Sequence, residues 1–161
     1  MISLTPVIDF LRPAPDGFAL PWFRQVAGAA EYAQIRPEAL PLPACWIVRR
    51  ADNDEQADPE GLAANLTLSF TAVIAVENAR VHYHGDTDDM LLAYRHAVRR
   101  RLQGYEIEPD IRPIQFAGGT VLEYTDGDLY WADTYQFDAL ITNYLDDPGP
   151  FSALVFTGAN L

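Results

Sequence analysis

The sequence predicts an α+β domain, with a mostly antiparallel sheet covered by one long helix plus a short N-terminal helix. Three observations support this class. Strand-like segments are grouped before and after a single long amphipathic segment. Residues 66–76 alternate between large apolar and mostly small or polar residues. Asp126-Gly127 lies between two apolar runs, which is the strongest short-range signal of a β-hairpin.

The strand over 66–76 has one apolar face. Its members recur at every second position, and they are Leu66, Leu68, Phe70, Ala72, Ile74 and Val76. A strand with so many large residues on one side needs partners on both edges, so we expect it to be central.

The long helix is predicted over 86–103. Its apolar residues recur at helical spacing, and they are Leu91, Tyr94, Val98 and Leu102, with Met90 and Ala97 beside them. Acidic residues fill the first turn and arginines the last, as the helix dipole favours. Gly104 suits the position after the helix end.

The remaining segments follow from local signals. A helix is predicted over 3–12, with Thr5 as N-cap and Pro6 in the first turn. The other expected elements are strands over 22–28 and 45–50, a loop with at most one helical turn over 29–43, extended pieces over 111–117 and 119–125 separated at Gly118-Gly119, and a strand over 129–144. A bulge or tight turn is expected at the glycine pair. The acidic segment 51–63 is expected to be an exposed, mobile loop.

Length and composition indicate one domain of 161 residues, with 49% hydrophobic residues. We assign 1–145 to that domain and 146–161 to a short C-terminal tail beyond a Pro/Gly break. No apolar run approaches the roughly 20 residues that cross a bilayer, and the N-terminus has no signal-peptide pattern. Cys45 is alone, which excludes an internal disulfide and favours a reducing compartment. We interpret it as a small buried apolar residue.

The net charge of −12 argues against two classes of partner. There are 23 acidic residues against 11 basic ones, and every basic residue is Arg. Phosphate backbones and anionic membrane surfaces attract clustered positive charge. We therefore expect neither nonspecific nucleic-acid binding nor membrane association.

Candidate reactive groups all have a simpler explanation. His82 and His84 lie two apart near Asp86 and Asp88 and could hold a metal, but solvated loop histidines are favoured. Helix capping accounts for Asp86, Asp88 and Asp89, and turn chemistry accounts for Asp126 and Asp128. The sequence thus predicts no catalytic, cofactor-binding or metal residues and no enzyme.

Two features remain as interface candidates. The run Arg99, Arg100 and Arg101 either compensates the helix dipole or contacts an acidic neighbour, such as another copy of this chain. The hairpin carries a surplus of aromatics on both faces. The candidates there are Tyr124, Tyr130, Trp131 and Tyr135, with Phe137 next to them. Tyr and Trp are enriched at protein interfaces, although core packing explains part of the set.

The order and character of the segments resemble a known family. The quoted stretches are the Pro-rich strand 42–48, the long strand 68–76, the helix 89–104 and the hairpin strand 127–137, after a short N-terminal helix and a polar insertion. Over about residues 3–145 they resemble the tail-terminator proteins of contractile- and long-tailed phages, in particular the Mu-like minor tail family.

The resemblance implies a structural virion protein that caps the tail tube as a homo-oligomeric ring, commonly a hexamer, ending tail growth. Implied partners are further copies of the chain, the tail tube and sheath, the head connector or neck protein, and genomic DNA that passes through the lumen without specific binding. Implied locations are the virion tail or neck, and the host cytoplasm during assembly. Two alternatives stay open: a head–tail connector or neck protein, and a cytosolic ligand-binding or regulatory domain.

Overall fold

The computed structural model describes residues 2–33, 41–57, 63–77, 86–109, 111–125 and 128–142, without the side chains of 54–57, 123–125 and 142. The helices in these ranges are α1 (Thr5–Leu11), α2 (Ala29–Ala33) and α3 (Thr87–Leu102). The strands are β1 (Gln25–Ala27), β2 (Ala44–Ala57), β3 (Ala63–Val76), β4 (Gln115–Thr125) and β5 (Asp128–Thr142). The predicted α+β class is confirmed.

The strands form one mixed sheet in the order β1-β2-β3-β5-β4. β1 runs parallel to β2, and the other neighbours are antiparallel. β3 is the middle strand, as predicted, and it pairs with β5 from Ala63↔Thr142 to Val76↔Leu129. The sheet therefore has β1 and β4 at its two edges.

The main core lies between α3 and one face of the sheet. The buried residues of α3 are Met90, Leu91, Tyr94, Val98 and Leu102, which confirms the predicted stripe. They pack over the predicted apolar face of β3, whose residues from Leu68 to Val76 are almost fully buried at every second position. Each large side chain buried here contributes about 1.5–3 kcal/mol before conformational entropy is counted. Val7 and Leu11 of α1 complete this core.

The two ends of α3 are capped as the sequence predicts. The Oδ1 atom of Asp86 accepts a hydrogen bond from the backbone N–H of Asp88 at 3.0 Å. Gly104 follows the helix with φ of 84°, a conformation that glycine adopts without a Cβ penalty. The position of the long helix is thus set by local chemistry as well as by packing.

A second, smaller core covers the other face of the sheet at one end. Its buried residues are Ala27, Leu42, Ala44, Trp46, Val73 and Ala75. Tyr32 of α2 lies against Trp46 with ring centroids 5.8 Å apart. The sheet is therefore buried on both faces around Trp46 and has a more polar open face elsewhere, including Thr134 and Gln136 of β5.

The acidic segment 51–63 is where the structure differs most from the prediction. The loop expected over 51–63 is wrong at both ends, because β2 continues to Ala57 and β3 begins at Ala63. Asp52 pairs with Leu68 in the antiparallel ladder, between register shifts at Arg49/Ala51 and Asp54/Gln56. Strand pairing satisfies the backbone groups whatever the side chains are, and Asp52 itself stays exposed to water. Residues 58–62 lie outside the described ranges.

Three smaller predictions also change. The N-cap of α1 is Leu4, not Thr5, and the hydroxyl of Ser3 accepts the N–H of Thr5 at 3.2 Å. The first strand is shorter than the predicted 22–28. The pieces on either side of Gly118 form one strand, β4, in which a register shift after Phe116 confirms the expected bulge.

Several predictions fall on residues outside the described ranges. They concern His82 and His84, the Asp126-Gly127 turn, the side chain of Tyr124, and everything from 143 onward, including the predicted tail 146–161. β4 and β5 do pair as a hairpin up to Thr125↔Asp128.

Candidate interaction surfaces

The three arginines at the end of α3 make different contacts. The guanidinium of Arg99 lies 4.2 Å from the ring centroid of Phe116 in β4. The guanidinium of Arg101 donates to the backbone carbonyls of Phe10 and Pro13 and stacks over the ring of Phe10. Burial lowers the pKa of Arg101. Arg101 therefore attaches α1 to α3, whereas Arg99 stays at the surface beside β4.

Arg100 borders a cavity on the other side of the helix. The cavity has a volume of about 510 Å³ and lies between α3 and the loop 15–20, with Phe18, Leu20 and His96 in its lining. Gly17 allows the loop to turn, since its φ of 74° is in the left-handed region. Arg99 and Arg100 are thus adjacent in sequence but belong to two separate surfaces.

The aromatics of β5 are largely used inside the subunit. Tyr135 is fully buried, stacked on Phe70 and edge-on to Phe116 with centroid distances of 5.6 Å in both cases. Tyr130 is partly buried against the second core. Among the described residues, the large apolar side chains that remain exposed near this hairpin include Val121 and Leu122 of β4, at 41% and 47%.

A buried ion pair holds α3 to the sheet. Asp133 of β5 is 1% exposed, and Arg95 contacts both of its carboxylate oxygens, with Nε–Oδ2 at 3.1 Å and Nη2–Oδ1 at 2.9 Å. The indole N–H of Trp131 donates to Oδ1 at 2.8 Å, and the guanidinium lies 4.0 Å over the Trp131 ring. The carboxylate is therefore satisfied by charge and by hydrogen bonds, as a buried charge must be.

Gly119 of β4 leaves the space that this ion pair occupies. A Cβ at this position would lie 2.2 Å from Oδ1 of Asp133 and 2.8 Å from the indole nitrogen of Trp131. No side chain fits there unless the ion pair moves. The glycine pair therefore follows a bulge between Phe116 and Gly118 and meets a packing requirement at Gly119.

The Arg95–Asp133 pair is not predicted by the sequence, although one signal of it is present. Asp133 alternates with Trp131, Tyr135 and Phe137 on the helix-facing side of the last strand. A carboxylate at an inward position is rarely buried without a partner. The sequence does not show that Arg95 is that partner, because this depends on how α3 lies across β5.

Two buried groups are held in their neutral forms. Burial raises the pKa of the Cys45 thiol and of the Tyr135 hydroxyl, and the charge of Asp133 raises both further. A neutral, buried thiol is not a nucleophile, which agrees with the structural interpretation of Cys45. Within the described ranges, no group of three His, Cys, Asp or Glu residues is placed to hold a metal ion. No helix in those ranges is long and apolar enough to span a membrane.

Comparison with known proteins provides the classification. A search of curated proteins finds no match. A family model described as phage tail terminator protein matches residues 2–144, which is most of the chain. This match assigns the chain to a class of proteins, the structural proteins of the bacteriophage tail, which associate with other tail components. The chain belongs to the phage tail terminator family.

Proposed function

We propose that this protein closes the end of the phage tail tube as a ring of identical copies, six in number, and so ends tail growth. The exposed side of the ring offers the docking surface for the head connector or neck protein, and the rim contacts the sheath in contractile tails. The protein acts in the virion tail and assembles in the host cytoplasm. The observation that carries this proposal is the family match over residues 2–144.

The fold is compatible with such a ring. Contacts in a closed ring join two different surfaces of the same chain. The sheet offers two such surfaces, since β1 and the outer part of β2 lie at one edge and β4 lies at the other. Among the interface candidates, Arg99 stacks over Phe116 of β4, and Trp131 pairs with Val121 of β4. Capping a tube by contact requires no catalysis, so we propose no enzymatic activity.

The proposal is tested with purified protein and purified tail tubes. Native mass spectrometry gives the number of copies, and electron microscopy shows whether the protein sits at one tube end. We expect a ring at the tube end and no further addition of tube subunits to capped ends. A protein that stays monomeric with and without tubes and leaves elongation unchanged would refute the proposal. Binding to isolated head connectors without binding to tube ends would instead favour a neck protein.

The acidic character of the chain supports a second part of the proposal, concerning DNA. A ring of subunits with net charge −12 repels phosphates, so DNA passes through the lumen without sticking. Fluorescence anisotropy with duplex DNA at low salt should show no binding. Replacing surface acids with bases should slow DNA ejection from otherwise normal particles, and normal ejection by such particles would count against the idea.

A further inference from the structure

We propose that the cavity between α3 and the loop 15–20 is the docking site for a C-terminal segment of the same chain. The segment is residues 151–156, here called the apolar tail, and residues 143–150 before it are here called the linker. The apolar tail covers the cavity and holds the loop against α3. This contact forms within one subunit, so it does not depend on a ring.

The cavity has a preformed apolar wall. Its volume of about 510 Å³ lies within the roughly 300–1,000 Å³ of sites that enclose ligand groups. Phe18 of the loop packs on Trp22 and Tyr94, with ring centroids 5.0 and 5.2 Å apart. The wall is therefore held in place from behind, without an occupant in the cavity.

The apolar lining of the cavity is only partly covered. Phe18 and Leu20 pack against the main core from the loop, and Ala93 and Ala97 face the cavity from α3. All four are intermediate in exposure, neither buried nor fully exposed. An apolar occupant would remove this surface from water, which is favourable in proportion to the area covered.

The apolar tail has the composition that such a site requires. It carries no charge, and its large apolar residues are Phe151, Leu154, Val155 and Phe156. It lies beyond residues 2–144, which the family model matches, so it is an addition to the family domain. Contiguous apolar residues left in water promote association, so burial against the subunit is favoured.

The linker is long enough to bring the apolar tail back to α3. Arg99 in the last turn of α3 stacks over Phe116, which pairs with Tyr135 of β5. From that level β5 continues to Thr142, a distance of about 24 Å at about 3.4 Å per residue. An extended linker spans up to about 28 Å. The apolar tail can therefore begin at the last turn of α3, which borders the cavity.

The charges of the linker and of the cavity are complementary. The linker carries Asp146 and Asp147 and no basic residue. Arg100 at the cavity is exposed and forms no ion pair with a carboxylate in the described part of the chain. The titratable and charged groups of the lining are Asp16, His96, Arg100 and Arg101. The cations of the lining outnumber its one carboxylate, in a chain whose net charge is −12.

Attachment to the same chain favours this occupant over a separate molecule. A short flexible linker gives the tethered segment an effective concentration in the mM range. A contact too weak to hold a free peptide is then still occupied. This is why the proposal assigns the cavity to the chain's own apolar tail.

The first test is disulfide trapping in the full chain. The variant A97C/L154C places one thiol in the cavity and one in the apolar tail. L92C/L154C is the matched control, because Leu92 also lies on α3 but is 57% exposed and does not line the cavity. Cys45 is fully buried and does not take part. The measurement is the rate of disulfide formation with oxidised glutathione at low protein concentration, by intact mass and non-reducing electrophoresis.

We expect a disulfide within one chain, formed at least about tenfold faster in A97C/L154C than in the control. The reason is that the bond requires Cα atoms within about 7 Å. Equal rates in the two variants would overturn the proposal. A disulfide that joins two chains would overturn the assignment to the same subunit and would place the apolar tail in the cavity of another copy.

The second test is hydrogen exchange of the loop amides from Gly17 to Leu20. The full-length variant F151S/L154S/F156S should exchange these amides faster than wild type, because their cover is lost. L140S is the matched control, since Leu140 is a 65% exposed residue of β5 outside the cavity lining. Its loop amides should exchange as in wild type. Unchanged exchange in the triple variant, with folding checked by circular dichroism, would refute the docking.

Both tests are made on the free subunit, so their outcome is separate from that of the capping assay. A chain that fails to cap tubes can still show the trapped disulfide. A chain that caps tubes but shows neither the disulfide nor the loop protection would leave the capping function standing and would overturn this proposal.

Discussion

Arg95 on α3 and Asp133 on β5 form a two-point ion pair in which the carboxylate is 1% exposed and the guanidinium side chain 23% exposed. The pair connects the covering helix to the sheet at the level where β4 bulges. Trp131 contributes a hydrogen bond to the carboxylate and a ring face to the cation. One ion pair thus holds α3 against β5, and Gly119 of β4 leaves the space that the pair needs.

Arg95→Ala should destabilise the fold by about 3–5 kcal/mol, because it leaves the Asp133 carboxylate buried without its countercharge. Urea unfolding followed by circular dichroism measures this. The double change Arg95→Met with Asp133→Leu removes both charges and should cost less than Arg95→Ala alone. An unfolding midpoint of Arg95→Ala equal to that of wild type would show that the pair does not form.

Gly119→Ala should cost about 1–3 kcal/mol, since the added Cβ would overlap the Asp133 carboxylate. Gly28→Ala is the matched control, because a Cβ there would meet its nearest atom, Cδ1 of Ile8, at an ordinary 3.5 Å. The control should change stability by no more than about 0.5 kcal/mol. Equal thermal stability of the two variants would contradict the packing seen at Gly119.

Arg101→Ala should loosen α1 from α3, because the guanidinium holds two carbonyls of the segment that ends α1. Hydrogen bonds to charged groups contribute about 1.5–3 kcal/mol. Hydrogen exchange of the α1 amides should speed up. Arg100→Ala, next to it in sequence, should leave those amides as protected as in wild type. Equal effects of the two substitutions would rule out the assigned contacts.

Asp86→Ala should destabilise α3 by about 0.5–2 kcal/mol through loss of its N-cap hydrogen bond. Asp89→Ala removes a first-turn charge without removing the cap, and about 0.3–1 kcal/mol is expected for the dipole effect alone. Thermal unfolding at low and high salt distinguishes the two effects. The cost of Asp89→Ala should shrink with salt while that of Asp86→Ala largely persists.

Stability should fall on the alkaline side because of Cys45 and Tyr135. Both are acids whose pKa is raised in the folded state, so the unfolded chain loses their protons first. Their contribution is complete below the ordinary thiol pKa and declines as pH rises above about 9, by up to ~1.4 kcal/mol per pH unit for each group. Denaturant unfolding across this range measures the decline.

Tyr135→Phe with Cys45→Ala should flatten that alkaline decline. At neutral pH, Tyr135→Phe alone should cost less than about 1 kcal/mol, because the buried hydroxyl has no hydrogen-bond partner in the described ranges. A steep alkaline decline in the double variant would assign the effect to other groups.

The elements that local chemistry defines can be predicted from the amino-acid sequence alone. The alternation along β3 and the capped, periodic helix α3 could be predicted because period, caps and dipole act within a few residues of each other. The central position of β3 followed from its large apolar face. The order of segments also supported the family resemblance that the match over 2–144 confirms.

The roles of the remaining residues depend on contacts that form only in the folded chain. The acidic segment 51–57 extends β2 because β3 pairs with it, and pairing between strands overrides the weak strand preference of its acidic residues. Tyr135 packs in the core, Arg101 holds α1, and Arg95 forms an ion pair with Asp133. Each of these contacts joins residues that lie far apart in the chain. Such contacts depend on how α3 crosses the sheet. The sequence alone therefore does not show which of the candidate arginines and aromatics are buried in the core and which stay at the surface.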